Sequence, residues 1–159
     1  MGFFDQLAGV DLRGKSMFFQ PGDYAVEISA IRFLEGRNGD KIIIECIVLG
    51  AVSDSDRAPQ PGQKAAQFIT ADNKGTKGEM GMRDWKTFLV TAYGLQDEYQ
   101  NYTDEQWLQL SNAVFDGSLV GQRYELSAWH TDTKAGGVFT VHDWIGPLTQ
   151  ESMIRFGVA

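Results

Sequence analysis

Leu34-Glu35-Gly36-Arg37-Asn38-Gly39-Asp40-Lys41-Ile42-Ile43-Ile44 is the most directive stretch of the chain. Asn38-Gly39 stands between two apolar runs, and this dipeptide favours positive φ at both central positions of a turn, the mark of a tight β-hairpin. The run before it, Tyr24 to Leu34, is rich in β-formers, and Pro21-Gly22-Asp23 supplies turn chemistry at its start. The run after it, Lys41 to Leu49, is dense in isoleucine and suits a strand buried over much of both faces.

Outward from the hairpin the punctuation is clear. Ala51 to Gln63 mixes proline, aspartate, serine and glycine and reads as a loop. A third strand follows at Lys64 to Ala71, then a polar, glycine-bearing loop at Asp72 to Gly78. Met82, Trp85, Phe88, Leu89, Ala92 and Tyr93 recur at three- and four-residue spacing, an amphipathic helix closed by Gly94. Thr103-Asp104-Glu105-Gln106 is a capping-box pattern for a second helix, whose apolar face is Trp107, Leu110 and Val114 and which ends near Asp116-Gly117. Strands at Gln122 to Thr131 and Val138 to Ile145, joined through Thr133 to Gly137, complete the core before Gly146-Pro147 interrupts.

This order predicts a mainly β protein with helices (α+β): a five-stranded OB-like barrel with two helices between strands three and four. A mixed α+β sheet would give the same string of elements. In the barrel, the Trp85-Phe88-Leu89 stripe plugs one end. Residues 1–20 form an N-terminal arm, 21–146 the barrel domain and 147–159 a C-terminal tail. Phe3, Phe4, Phe18 and Phe19 equip the arm to dock, either on its own barrel or across a neighbouring subunit to make a homo-oligomer.

At 159 residues, 43% hydrophobic and 22% charged, the chain has the make-up of one soluble globular domain. A single cysteine, Cys46, excludes an internal disulfide and a multi-cysteine zinc motif. No apolar run approaches the length of a membrane helix, and Met1-Gly2-Phe3-Phe4-Asp5 lacks a cationic start, so a cytoplasmic location without membrane contact is expected. The net charge of -7 argues against a protein that coats nucleic acid with its whole surface. The charge is uneven, however. Met1 to Gly94 holds 11 basic and 12 acidic residues, whereas Leu95 to Ala159 holds 3 and 9. A locally cationic groove on the first part is compatible with those counts.

Signs of catalysis are few. There is no nucleophile elbow, phosphate-binding loop or zinc-protease helix, and Gly75 to Gly81 lacks the spacing of a nucleotide-binding loop. Cys46 sits in an isoleucine-rich strand where burial silences a thiol. His130 and His142 face each other across the last hairpin if it is symmetric, with Asp132 or Asp143 nearby, but that spacing is thin support for a metal. No enzyme, catalytic residue, metal or cofactor is expected.

Binding is better supplied. Single-strand binders need cations along a groove and aromatic faces on which bases stack. Arg32, Phe33, Arg37 and Lys41 surround the first hairpin, Lys64 and Phe68 lie on the third strand, and Lys74 and Lys77 mark the next loop. Trp129, Lys134, Phe139 and Trp144 lie in and around the closing hairpin. Phenylalanines and Trp144 in such positions also fill barrel interiors, and loop lysines are ordinarily just solvated. Trp129 alternates with the polar set and is the leading stacking candidate.

The sequence resembles the OB-fold single-stranded-DNA-binding proteins of tailed bacteriophages. The resemblance rests on Pro21-Gly22-Asp23-Tyr24, Arg37-Asn38-Gly39 before Ile42-Ile43-Ile44-Glu45, and Asp84-Trp85-Lys86-Thr87-Phe88-Leu89 with Tyr93-Gly94. It continues through Gly121-Gln122 to Thr133-Lys134, Gly137-Val138-Phe139-Thr140 and His142-Asp143-Trp144, covering about residues 21–145. It implies a DNA replication or recombination accessory in the host cytoplasm that coats single-stranded DNA with little sequence preference. Phage or host replication proteins are the implied partners. Many such proteins end in a flexible acidic tail; this sequence ends Ile154-Arg155-Phe156-Gly157-Val158-Ala159, with its acids between Leu95 and Asp116. The alternative is a virion structural or interaction protein, a capsid- or tail-associated β-barrel without a nucleic-acid groove.

Overall fold

The computed structural model describes residues 17–37, 39–71 and 75–158, with Thr76 and Lys77 described by backbone alone. The chain is a mixed α/β protein built on one curled, six-stranded sheet. The strands are β1 (Met17–Phe18), β2 (Gly22–Leu34), β3 (Lys41–Val52), β4 (Lys64–Thr70), β5 (Arg123–Asp132) and β6 (Val138–Pro147). The helices are α1 (Gly75–Tyr93), α2 (Asp104–Phe115) and α3 (Gln150–Phe156), with a short 3-10 turn at Tyr99–Asn101. The sheet order is β1-β4-β3-β2-β5-β6, with β1 parallel to β4 and the other pairs antiparallel.

Three irregularities curl the sheet. Ser29 is the extra residue between the pairs Ile28↔Cys46 and Ala30↔Glu45, Leu49 between Val48 and Gly50, and Ile145 between Trp144 and Gly146. Each bulge bends its strand and reverses which alternate residues face inward. In β2 the core therefore takes Tyr24, Val26 and Ile28 before the bulge but Ile31 after it. In β3 the inward set is Ile42, Ile44, Cys46 and Val48.

No ladder pairs β4 with β6 among the described residues. The gap is spanned by side chains instead. Trp144 Nε1–H donates to Gln67 Oε1 at 2.8 Å, and both residues are buried. Phe88 of α1 meets the Trp144 ring edge-on at 4.9 Å, and α1 packs on both β4 and β6. Gly81 permits this approach: a Cβ there would stand 1.7 Å from the Thr70 carbonyl oxygen. The expected helical stripe is thus largely realised, with Phe88 and Leu89 in the core, Trp85, Ala92 and Tyr93 against it, and Met82 left outside.

Several local expectations are met and several are corrected. The capping box at Thr103 and Gln106 is present, with Gln106 N–H on Thr103 Oγ1 at 3.2 Å and Thr103 N–H on Gln106 Oε1 at 2.8 Å. Gly94 closes α1 with φ +67°, and Leu95 N–H returns to Val90 O at 2.8 Å. The β2–β3 hairpin exists, but its last ladder pair is Leu34↔Lys41, so the connection is six residues, 35–40, and not a two-residue turn. Gly39 N–H bonds Gly36 O within it at 3.2 Å. Helix α1 begins at Gly75, so Gly75 to Gly78 is helical where a loop was predicted. Packing of the downstream face on the sheet outweighs the low glycine propensity.

The termini also gain structure. Of the arm, residues 1–16 lie outside the described residues; Met17–Phe18 adds the sixth strand and Phe19 is buried against Tyr24 at 5.0 Å. The described part of the arm therefore packs on its own domain. The tail holds the third helix, capped by Thr149 at one end and left-handed Gly157 at the other. It docks through Phe156, whose backbone sits where Gly50 offers no side chain, and through Arg155 to Asp23 and Glu125.

Two predictions follow from this packing. Gly81→Ala should lower stability by at least about 1–3 kcal/mol, because the new methyl forces α1 off β4; the urea midpoint of the exposed-site control Met82→Ala should stay near wild type. Gln67→Ala should cost about 1–3 kcal/mol by leaving the Trp144 N–H buried without an acceptor, and near-ultraviolet circular dichroism should report the disturbed indole.

Candidate nucleic-acid interface

The outward residues of β3 are those alternating with its core set: Lys41, Ile43, Glu45 and Ile47. Cross-strand register sets them in rows. Arg32, Ile43 and Phe68 form one row, Leu34, Lys41 and Thr70 the next, and Ala30, Glu45, Ala66 and Phe18 the one before. Neighbouring strands are about 4.8 Å apart, so Arg32 and Phe68 stand roughly 10 Å apart across the face. Phe18 and Phe68 touch, ring centroids 5.4 Å apart, and are 64% and 39% exposed. Two adjoining phenylalanines left half in water on an open sheet face make an apolar platform.

The cations of this face differ in availability. Arg32 is ion-paired with Glu45, one residue row away. Lys41 and Lys64 are exposed and belong to none of the ion pairs of the described residues. Arg37 is exposed in the 35–40 connection. That connection is tied to the end of β4 by Ala71 N–H on Asp40 O at 2.8 Å.

At the same end lies a cleft of about 620 Å³, walled by the end of β4, the start of α1 and the tip of the β5–β6 hairpin. Phe68, Met80 and Phe139 give it apolar surface; Asp84, Asp132 and Lys134 give it charge. The hairpin tip is firmly built. Gly137 N–H bonds Thr133 Oγ1 at 2.9 Å, Thr133 N–H bonds Gly137 O at 2.9 Å, and Gly136 takes φ +83°. Burial raises the Asp84 carboxyl above its ordinary value, only partly opposed by Arg83.

The structure thus gathers Phe68 and Lys134 at the cleft, with Lys41 one strand away beside Thr70, and leaves Arg32 and Arg37 on the adjoining surface. Trp129 pairs with Val141, shares its face with Thr131 of the cleft and is 42% exposed. Lys64 sits at the far end of β4. Phe33 does not join the platform: the Ser29 bulge turns it to the inner side, where it meets Phe115 of α2 at 6.0 Å. Trp144 is a core residue, 4% exposed, and offers no face to a ligand. Lys74 and the Lys77 side chain lie outside the described residues. Sequence reasoning did not place Phe18 beside Phe68, because only tertiary pairing brings an arm residue there, and did not single out Asp84 as lining the cleft.

The histidines do not face each other. His130 pairs with Thr140 and His142 with Ala128, an offset of two residues. Among the described residues no group of three metal-ligating side chains converges. Burial pushes Cys46 well above its usual range. No helix among the described residues is long and apolar enough to cross a membrane.

Neither a family model nor a curated protein matches this chain. The geometry of the face therefore carries the functional argument.

His142 provides a test of the arm's anchorage, since it lies edge-on to Phe19 at 5.9 Å. Burial lowers its imidazole from 6.5 to about 4. The unfolded chain then binds more protons than the folded one between those values. The associated stability is complete above about pH 6.5, lost as pH falls toward 4, and worth on the order of 3 kcal/mol. Urea unfolding across this window should show His142→Gln losing less stability on acidification than wild type by about that amount.

Proposed function

We propose that the protein is a sequence-tolerant single-stranded-DNA-binding protein of the OB type, serving phage replication or recombination in the host cytoplasm. The long strands support the OB assignment: β2 lies between β3 and β5, β3 carries β4, β5 carries β6, and α1 and α2 intervene between β4 and β5. In OB domains the face of the second and third barrel strands and the loops of the two hairpins bind oligonucleotides. Those elements correspond to β3 and β4, the 35–40 connection, and the β5–β6 tip.

The observation that carries the proposal is the exposed Phe18–Phe68 pair on that face, bordered by Lys41 and, across the cleft, by Phe139 and Lys134. Aromatic stacking contributes about 1–3 kcal/mol per base and works on any base, while the lysines track phosphates. A net charge of -7 keeps the rest of the surface from competing for the strand. A virion structural protein is the second reading, favoured by the apolar residues Val138 and Ile145 exposed on the edge strand β6. Mass spectrometry of purified particles separates the two, since a structural component is present in many copies.

Fluorescence anisotropy with a labelled mixed-sequence oligodeoxynucleotide should show binding whose logarithm falls by about 0.7 per log unit of salt for each phosphate neutralised. Tryptophan emission should be quenched on binding, less so in Trp129→Phe. Phe68→Ala should weaken binding about fivefold or more, and Lys41→Ala should reduce the salt slope. Absence of both quenching and anisotropy change at low salt removes the proposal.

A further inference from the structure

The cleft beside β4 has a composition that the sheet face does not explain. A surface that holds a phosphodiester backbone is expected to be cationic, yet this cleft carries the carboxylates of Asp84 and Asp132 alongside the single cation Lys134. None of these three belongs to the ion pairs of the described residues. Carboxylates repel phosphate, so the backbone does not run through the cleft. They accept hydrogen bonds only, and so seek a donor. The remaining walls are apolar and aromatic, with Phe68 from β4 on one side and Phe139 from β6 on the other. The volume, about 620 Å³, is within the range of small-molecule sites.

We propose that this cleft receives one unstacked base of the bound strand against Phe68 and Phe139 and prefers bases bearing an exocyclic amino group, which donates to Asp84 or Asp132. The inference rests on the single-strand-binding reading and adds to it a graded base preference at one position.

The chemistry discriminates by donor pattern. Cytosine and adenine each present an amino group, and guanine presents an amino group beside a ring N–H. Thymine offers one ring N–H flanked by two carbonyl oxygens, which the carboxylates repel. Lys134, at the hairpin tip, is placed at the mouth for the phosphate next to the inserted base. Gly81 belongs to the same wall, and its lack of a side chain lets the α1 backbone close directly on Thr70, which fixes that side of the cleft.

The test compares short oligo(dC) and oligo(dT) by anisotropy at one salt concentration, using the full chain and the Asp84→Asn, Asp132→Asn double variant. Wild type should bind oligo(dC) at least about fivefold more tightly than oligo(dT). The double variant should bring the ratio near one, chiefly through tighter oligo(dT) binding once the repulsion is gone. Phe139→Ala, on an exposed hairpin position, should weaken oligo(dC) more than oligo(dT), and thermal melting checks that each variant is folded. Equal affinity of wild type for the two oligonucleotides, or an unchanged preference in the double variant, overturns the pocket while leaving single-strand binding standing. Failure to bind either oligonucleotide or the mixed-sequence strand overturns both.

Discussion

The hydrogen bond from Trp144 to Gln67 holds the molecule's geometry together. A curled sheet whose β4 and β6 edges share no ladder needs another reason to keep those edges close. A buried indole N–H bonded to a buried amide oxygen supplies it, because separation would take from each group its partner in an apolar surrounding. Phe88 packs on the same indole, so the helix laid across the gap is positioned by the bond that spans it. Gly81 then fixes how closely the helix can descend on β4. The candidate cleft is a consequence, since its walls come from β4, α1 and the β5–β6 tip.

A second constraint is set by the bulges. Without Ser29, Arg32 and Leu34 would point inward and Phe33 outward; with it, Arg32 joins Lys41 and Phe68 on the outer face. One added residue therefore decides which of two adjacent candidates lies on the outer face. The same logic applies at Ile145, where the bulge leaves an isoleucine 52% exposed while Trp144 stays in the core. Such a change of phase explains why Phe33, named beside Arg32 for its place near the hairpin, lies on the opposite face from it, although its ring is still 42% exposed.

Electrostatics divides the surface by element. Much of the excess acid falls in α2 and the segment leading to it, whereas Lys41, Lys64, Arg37 and Lys134 sit on strands and hairpin loops. The α1–α2 region is joined by its own contacts, with Lys86 over the rings of Tyr99 and Trp107 at 5.6 and 5.2 Å and Trp85 stacked on Phe115 at 5.4 Å. An acidic protein can in this way keep part of its negative charge away from the Phe18–Phe68 face, although Asp84 and Asp132 share the cleft with Lys134. Arg32 is held by Glu45 and contributes less field than its exposure alone implies.

Local signals in the chain determined most of the elements. Strand density around Asn38-Gly39, the Thr103 capping box and the glycine at the end of α1 act within a few residues and require no partner. They specified five strands, two helices and their order. The helical start at Gly75, the strand added by Met17–Phe18 and the docked α3 depend on contacts with distant residues, and so were not legible. The site divides along the same line. Its residue types were visible as lysines and aromatics near two hairpins. Which of them share a surface was decided by strand register, the Ser29 bulge and the Gln67–Trp144 bridge, because each of these relates residues far apart in sequence.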